Sequence, residues 1–248
     1  MKLDAQQIAF WEIFGYLVLP KMFTPSEAEA MTRDLDDQAL EDREGEDFKG
    51  ERRQNVPVAE SPSFKNIASD ERLVVPLQQL LGKDYVKTGD PGGGLYVGDT
   101  QWHPDRATIR EGDPTRLKAA FYLDPVRKDT GCLRVVPGSH ANPLHDQLSP
   151  LRMGRLKKAI ADGSLISNMG YVSAADEKEL RDWEEETGID LDDNHTIYGV
   201  DPLGVPSAPL ESDPGDVVFF NQLLFHAAFG GKTGRRMVAM TWASVPRA

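Results

Sequence analysis

The 248-residue sequence predicts a mainly β fold, a jelly-roll core with flanking helices. Three observations carry this expectation. Six short runs rich in β-branched and aromatic residues follow one another from Tyr85 onward, punctuated by Gly and Pro, and such spacing belongs to sandwiches and barrels. Helix signals come first and strand signals later, without the alternation that builds a parallel sheet. A hydrophobic content of 40% supports one good core, and all-β chains of this length are commonly undivided. No internal repeat or low-complexity linker interrupts the chain, so a single domain over 1–248 is expected.

In chain order, Asp4 to Phe14 reads as a helix. Asp4 and Gln7 form a capping-box pattern, and Ile8, Trp11 and Phe14 fall near one face. Gly15 ends it, and Tyr16-Leu17-Val18-Leu19-Pro20 reads as a short buried strand. Thr24-Pro25-Ser26-Glu27 is a second start signal: a Thr cap, proline at the first helical position, and Glu three after the cap. That helix runs to about Leu40. Residues 41–55 are polar and charged and read as a mobile loop. Asp70 to Leu81 is a further helix, stopped at Gly82. The strand runs are Tyr85 to Thr88, Gly94 to Val97, Leu117 to Leu123, Leu133 to Val136, Val217 to Phe220 and Met237 to Trp242. Pro91-Gly92-Gly93-Gly94 lacks the Lys-Ser/Thr of a phosphate-binding loop and reads as a flexible turn.

Residues 141–212 do not read as core strands. Leu151 to Ala161 and Ala174 to Glu186 have helical composition. An insertion of this length in a compact domain is expected to be a lid or a substrate-binding element.

The net charge is −12, from 28 basic and 40 acidic side chains. A chain this acidic repels a phosphate backbone, which argues against nucleic acid as a partner. The acidic stretches Asp34 to Glu51 and Asp176 to Asp193 read as solvated helix faces or loops. No apolar run approaches the roughly 18 residues of a membrane span, and the acidic, amphipathic start does not read as a signal peptide. One cysteine, Cys132, excludes an internal disulfide and fits a reducing cytoplasm.

The residues that carry chemistry are few. His103 and Asp105 stand two apart, and on a strand such residues point to one side. His226 follows the hydrophobic run Val217 to Phe225. Two imidazoles and a carboxylate can hold one face of a ferrous ion and leave positions open for a co-substrate and O₂. Arg235 and Arg236 follow His226 by nine and ten residues. A guanidinium binds a carboxylate through two parallel hydrogen bonds and stays charged when buried, so either could pin a co-substrate carboxylate.

These residues sit in a wider pattern. Ile8-Ala9-Phe10 through Leu19-Pro20, Gln101-Trp102-His103-Pro104-Asp105, Lys118 to Asp124, Thr130-Gly131-Cys132-Leu133-Arg134-Val135-Val136-Pro137-Gly138-Ser139-His140, and Gly215-Asp216-Val217-Val218-Phe219-Phe220 leading to His226 resemble the phytanoyl-CoA dioxygenase family of Fe(II)/2-oxoglutarate-dependent oxygenases. The resemblance runs to Trp242 and leaves 141–212 uncovered. It implies a double-stranded β-helix (jelly-roll, cupin-like) core. It implies His103, Asp105 and His226 as iron ligands, with Fe(II), 2-oxoglutarate and O₂ as the reaction's requirements. It implies hydroxylation or another oxidation of an unactivated C–H bond in a small molecule, with release of succinate and CO₂. The carboxylate ligand Asp105 argues for oxygen transfer over halogenation.

The family places its co-substrate arginine eleven residues after the histidine, where this chain has Met237, so the turn Gly230 to Gly234 is shortened. Arg235 is favoured. Counted from it, Arg236, Val238, Met240 and Trp242 share the opposite, bulky face. Arg236 remains the alternative. Thr108, three past Asp105, is a candidate 2-oxoglutarate contact or a plain loop residue.

The smaller signals read more blandly. Trp102 points away from His103 and is expected in the core. His140 reads as a structural residue bonded to loop backbone, and Cys132 as a packed thiol. Arg152, Arg155, Lys157 and Lys158 form a basic cluster, either a solvated helix face or a recognition element for an anionic substrate. Two other readings stay open: a cupin-like oxygenase or isomerase without 2-oxoglutarate, and a non-catalytic binding module.

Overall fold

The computed structural model describes residues 1–42, 56–106, 112–162, 173–189, 200–232 and 234–245. The expected loop at 41–55 falls largely outside them.

Three helices open the chain. Helix α1 spans Ala5–Phe14, with the Asp4/Gln7 capping box formed and Gly15 in the left-handed region at its end. Helix α2 spans Pro25–Asp42, and Thr24 and Glu27 cap it reciprocally. Helix α3 spans Glu71–Leu81, capped by Asp70.

Ten strands are formed, two of them between these helices and eight after them: β1 Tyr16–Leu19, β2 Val56–Pro57, β3 Val86–Tyr96, β4 Thr100–His103, β5 Arg116–Tyr122, β6 Leu133–Val135, β7 Ala208–Leu210, β8 Val217–Asn221, β9 His226–Ala228 and β10 Arg235–Ala243. They form a six-stranded sheet, β1-β8-β5-β10-β3-β2, and a four-stranded sheet, β4-β9-β6-β7. Every ladder is antiparallel. These two packed sheets are the open jelly-roll arrangement that the sequence predicts.

The period-two pattern decides what each face of the larger sheet does. Leu117, Ala119 and Phe121 of β5, Val217 and Phe219 of β8, and Val238, Met240 and Trp242 of β10 join a core with Trp11, Leu35, Leu73 and Leu77 from the three helices. The alternate residues turn to the smaller sheet. Burial of the helix-side face removes large apolar side chains from water, each worth roughly 1.5–3 kcal/mol. The same burial leaves the opposite face free to line a cavity.

Two expectations are corrected. Pro91 to Gly94 is not a turn: it lies inside β3, which is one strand rather than two. The reason is steric. A Cβ on Gly93 would stand 2.1 Å from the Met237 carbonyl oxygen and 2.8 Å from Val238 Cα, so the glycines permit close approach of β10. The second concerns the stretch 141–212. Its last residues belong to the core, because β7 pairs with β6.

The rest of that stretch holds α4 Leu144–Gln147, α5 Ser149–Asp162 and α6 Ala174–Thr187. Helix α5 packs on β4. Its Leu151 joins Trp102 and Phe225, and its Met153 and Leu156 meet Leu180 of α6. Among the described residues, no helix is long and apolar enough to cross a membrane.

Candidate active site

His103 ends β4 and His226 begins β9, and the two are direct cross-strand partners. Their ring centroids are 4.4 Å apart. Pro104 has no N–H to give to the ladder, so the strand stops there and Asp105 lies just beyond it. The Arg106 N–H donates to the Gln222 carbonyl at 3.0 Å and holds this exit in place. Opposite, the Asn221 side chain accepts from Leu223 N–H at 2.9 Å, and this tight turn delivers His226. One ligand-type atom from each of His103, Asp105 and His226 lies within 4.8 Å of the others.

The backbone selects the useful tautomer of both rings. His103 Nδ1–H donates to the Gln101 carbonyl at 2.7 Å, and His226 Nδ1–H to the Leu224 carbonyl at 2.8 Å. A carbonyl can only accept, so the proton sits on Nδ1 and the Nε2 lone pair is available. His226 Nε2 stands 3.8 Å from Asp105 Oδ1.

Burial favours the uncharged form of both rings. It holds His103 well below the usual imidazole range, helped by the positive charges of Arg155 and of a protonated His226. Burial lowers His226 too, against the opposing pull of Asp105. For Asp105, burial pushes upward as the largest single influence, but Lys118 and His226 together bring the carboxyl below its ordinary value. Two neutral imidazoles and one carboxylate form a donor set that suits a divalent transition metal.

The two arginines diverge. Arg235 is 4% exposed. Its Nη1 donates to the Gly98 carbonyl at 3.2 Å, with the Tyr96 carbonyl at 3.5 Å. No described carboxylate is shown to meet it. Room for its head group comes from glycines: a Cβ on Gly131 or Gly231 would lie 2.8 Å or 2.1 Å from Arg235 Nη1. Arg236 turns to the helix side, where its guanidinium pairs with Asp36 at 2.7 Å and Asp124 at 2.9 Å. It braces α2 against the sheet and has no part in the cavity.

A cavity of about 510 Å³ joins these groups, lined by His103, Asp105, His226, Lys118, Arg155 and Arg235 among others. Met237, Ala239 and Thr241 line it too, which places Arg235's face inward as the period predicts. Thr108 lies outside the described residues. Trp102 is in the core, 2% exposed, and donates from its indole N–H to the Pro202 carbonyl at 2.8 Å. His140 donates to the Glu12 carbonyl at 3.3 Å and packs on Gly15, a structural part. Cys132 is buried, and its thiol is pushed up to about 11, chiefly by that burial.

Lys118 was not singled out from sequence. Its Nζ lies 3.2 Å and 3.1 Å from the two oxygens of Asp105. The available signal was a lysine in a strand buried from Ala119 onward, in step with the cavity residues Ala120 and Tyr122. The basic cluster on α5 separates: Arg152 pairs with Glu179 at 2.7 Å and Lys157 with Glu184 at 3.2 Å, both on α6, whereas Arg155 faces the cavity.

Comparison with solved structures gives matches over nearly the whole chain. AviO1 from Streptomyces viridochromogenes Tue57 aligns with a TM-score of 0.60 at 17% identity, over 100% of this chain and 98% of that one. HygX from Streptomyces hygroscopicus, solved with nickel and 2-oxoglutarate bound, gives 0.59 at 19%, over 99% and 88%. SnoK, described as a non-heme alpha ketoglutarate dependent carbocyclase from nogalamycin biosynthesis, gives 0.58 at 17%, over 98% and 84%. At such identities the likeness is one of fold. Comparison with curated protein sequences finds no match. The family model for phytanoyl-CoA dioxygenase (PhyH) matches residues 11–238, a span that takes in the smaller sheet, most of the larger one and all of His103, Asp105, His226 and Arg235; the chain belongs to the phytanoyl-CoA dioxygenase family.

Proposed function

We propose that this chain is an Fe(II)- and 2-oxoglutarate-dependent oxygenase that hydroxylates an unactivated C–H bond of a small molecule. One observation carries the reading. Three residues far apart in sequence bring their ligand-type atoms within 4.8 Å, in the cavity that also receives the buried Arg235. Family membership and the nickel- and 2-oxoglutarate-bound relative agree with it.

His103 Nε2, Asp105 and His226 Nε2 would hold the iron. Arg235 would hold the distal carboxylate of 2-oxoglutarate by a bidentate pair. When bound, iron and 2-oxoglutarate supply the oxidising chemistry, in which O₂ is consumed and the ketoacid leaves as succinate and CO₂.

The chain's own part is to place and protect. The Gln101 and Leu224 carbonyls lock the imidazoles in the metal-binding tautomer. Lys118 orients Asp105 and carries a charge that opposes a bare dication but favours a bound dianion. Burial of both histidines limits water beside the reacting groups. Gly89 and Gly92 of β3 leave part of one cavity wall as bare backbone, which gives a substrate a surface to lie against. Helix α5 packs on β4 and brings Arg155 to the cavity, with α6 packed behind it, and we assign these two helices the substrate-binding role within a single domain.

Hydroxylation is the outcome proposed because Asp105 keeps the carboxylate in the donor set. SnoK is described as a carbocyclase, so ring closure is the outcome to test beside it. The experiment is succinate release with a metabolite panel. It should require Fe(II), 2-oxoglutarate and a cognate compound, and the product should carry one atom from labelled O₂. Turnover independent of 2-oxoglutarate would favour a cupin-like oxygenase or isomerase instead. A reducing cytoplasmic setting fits the lone, buried Cys132.

A further inference from the structure

The cavity differs in charge from the molecule around it. The chain carries a net charge of −12, yet Lys118, Arg155 and Arg235 all line the cavity, with Asp90 and Asp105 as the carboxylates among the described lining residues. Asp90 pairs with Lys87 at an exposed position. With a dication and the dianion of 2-oxoglutarate in place, these lining groups still leave a positive field.

Arg155 stands apart by origin. It comes from α5, outside both sheets, in the helical stretch between β6 and β7. The helix that presents it is held firmly. Leu151 packs with Trp102, Met153 and Leu156 pack with Leu180, and the ion pairs of Arg152 and Lys157 fasten α5 to α6 on the flanking positions. A side chain on such an element is positioned better than one on a loop. Arg152 and Lys157 point to α6, and Arg155 lines the cavity that holds the triad. Its charge is felt by His103, Asp105 and His226 alike.

We infer that Arg155 is a substrate-recognition residue that receives the carboxylate or phosphate group of a small anionic substrate. A guanidinium matches either oxyanion with two parallel hydrogen bonds, and either would fix which carbon of the substrate points to the triad. The inference rests on the oxygenase reading for the other contents of the cavity.

The test uses full-length protein saturated with Ni(II) and 2-oxoglutarate, so that no turnover occurs. Inorganic phosphate and acetate are titrated in by calorimetry at constant ionic strength. Saturable one-site binding is expected, weakened about tenfold or more in R155Q, as loss of a charge-assisted bidentate pair implies. R155K should keep part of it, and R152Q, which removes only the pairing with Glu179, should keep all of it. A second arm presents matched pairs to the Fe(II) protein: carboxylates against their methyl esters, and phosphate monoesters against the free alcohols. The arm that triggers succinate release names the anion. Binding of phosphate and acetate that is absent, or equal in wild type and R155Q, overturns the inference. So does an ester or alcohol that couples as well as its anion. If instead R155Q weakens 2-oxoglutarate itself, Arg155 belongs to the co-substrate and the inference fails. Failure of wild-type protein to bind 2-oxoglutarate with metal would instead count against the oxygenase reading.

Discussion

Lys118 Nζ lies 3.2 Å and 3.1 Å from the two oxygens of Asp105, and both side chains are largely enclosed. An ammonium so close to a metal-binding carboxylate has two opposite consequences. It competes with a dication and repels it, and it attracts the anion that the dication recruits. K118M is therefore expected to bind Fe(II) or Ni(II) at least as tightly as wild type, while the metal-loaded protein binds 2-oxoglutarate severalfold more weakly. Paired metal and 2-oxoglutarate titrations check both signs at once. A parallel loss of both would show that Lys118 only holds Asp105 in position.

Arg235 and Arg236 separate by what they touch. R235Q removes the buried guanidinium from the cavity and is expected to raise the KM for 2-oxoglutarate by roughly 10- to 100-fold, as for a lost charge-assisted pair. R236Q breaks the contacts to Asp36 and Asp124. It should lower stability by about 1 kcal/mol, since the pair is half-buried, and leave that KM unchanged. Steady-state kinetics and chemical denaturation on both variants decide the assignment.

Glycine positions give a steric test. A Cβ on Gly231 would stand 2.1 Å from Arg235 Nη1 and 2.7 Å from the Gly98 carbonyl oxygen. G231A should displace the guanidinium and weaken 2-oxoglutarate binding, with a stability cost from its contact with the Gly98 backbone. G93A meets backbone at both of its nearest contacts, Met237 and Val238, and touches no Arg235 atom. It should cost about 2 kcal/mol or more of stability, because the ladder between β3 and β10 must part. Urea denaturation separates the two variants.

Acid sensitivity has an identifiable contributor away from the cavity. Glu27 is held at about 2, first by its hydrogen bonds from Arg72 and then by the Thr24 N–H. Its unfolded value is near 4.5. Between these values the unfolded chain binds the extra proton, so this contribution is intact above pH 4.5 and falls away as pH drops toward 2. The Glu27 and Arg72 side chains are 39% and 35% exposed, so solvent screening limits the effect to about 1 kcal/mol. E27Q should show a flatter stability profile between pH 6 and pH 3 in urea titrations.

Much of this arrangement is legible in the sequence because it follows period two. The alternation in β5, β8 and β10 separates helix-facing from cavity-facing residues, and it places Arg235 inward and Arg236 outward once the strand start is known. The capping patterns at Asp4 and Thr24 likewise mark helix starts that the structure keeps. Glycine misled. Pro91 to Gly94 has turn composition, but it is strand because β10 approaches too closely for a side chain, and no local rule encodes a partner so far along the chain. Lys118 was hidden for a similar reason. Its partner Asp105 is 13 residues distant and meets it only when the sheets pack. Arg155 could be grouped with its basic neighbours by sequence, but only the packing of α5 on β4 separates the residue facing the cavity from those facing α6.

The central claim is that His103, Asp105 and His226 hold a metal that, with Arg235, receives 2-oxoglutarate. It is tested most directly by equilibrium binding of 2-oxoglutarate under exclusion of O₂, with and without Fe(II), to wild type and to D105A, H103A and H226A. The account predicts binding to the wild type only when Fe(II) is present, and its loss in all three variants while their folded spectra persist. Binding of 2-oxoglutarate that needs no metal, or that survives removal of these side chains, would contradict it.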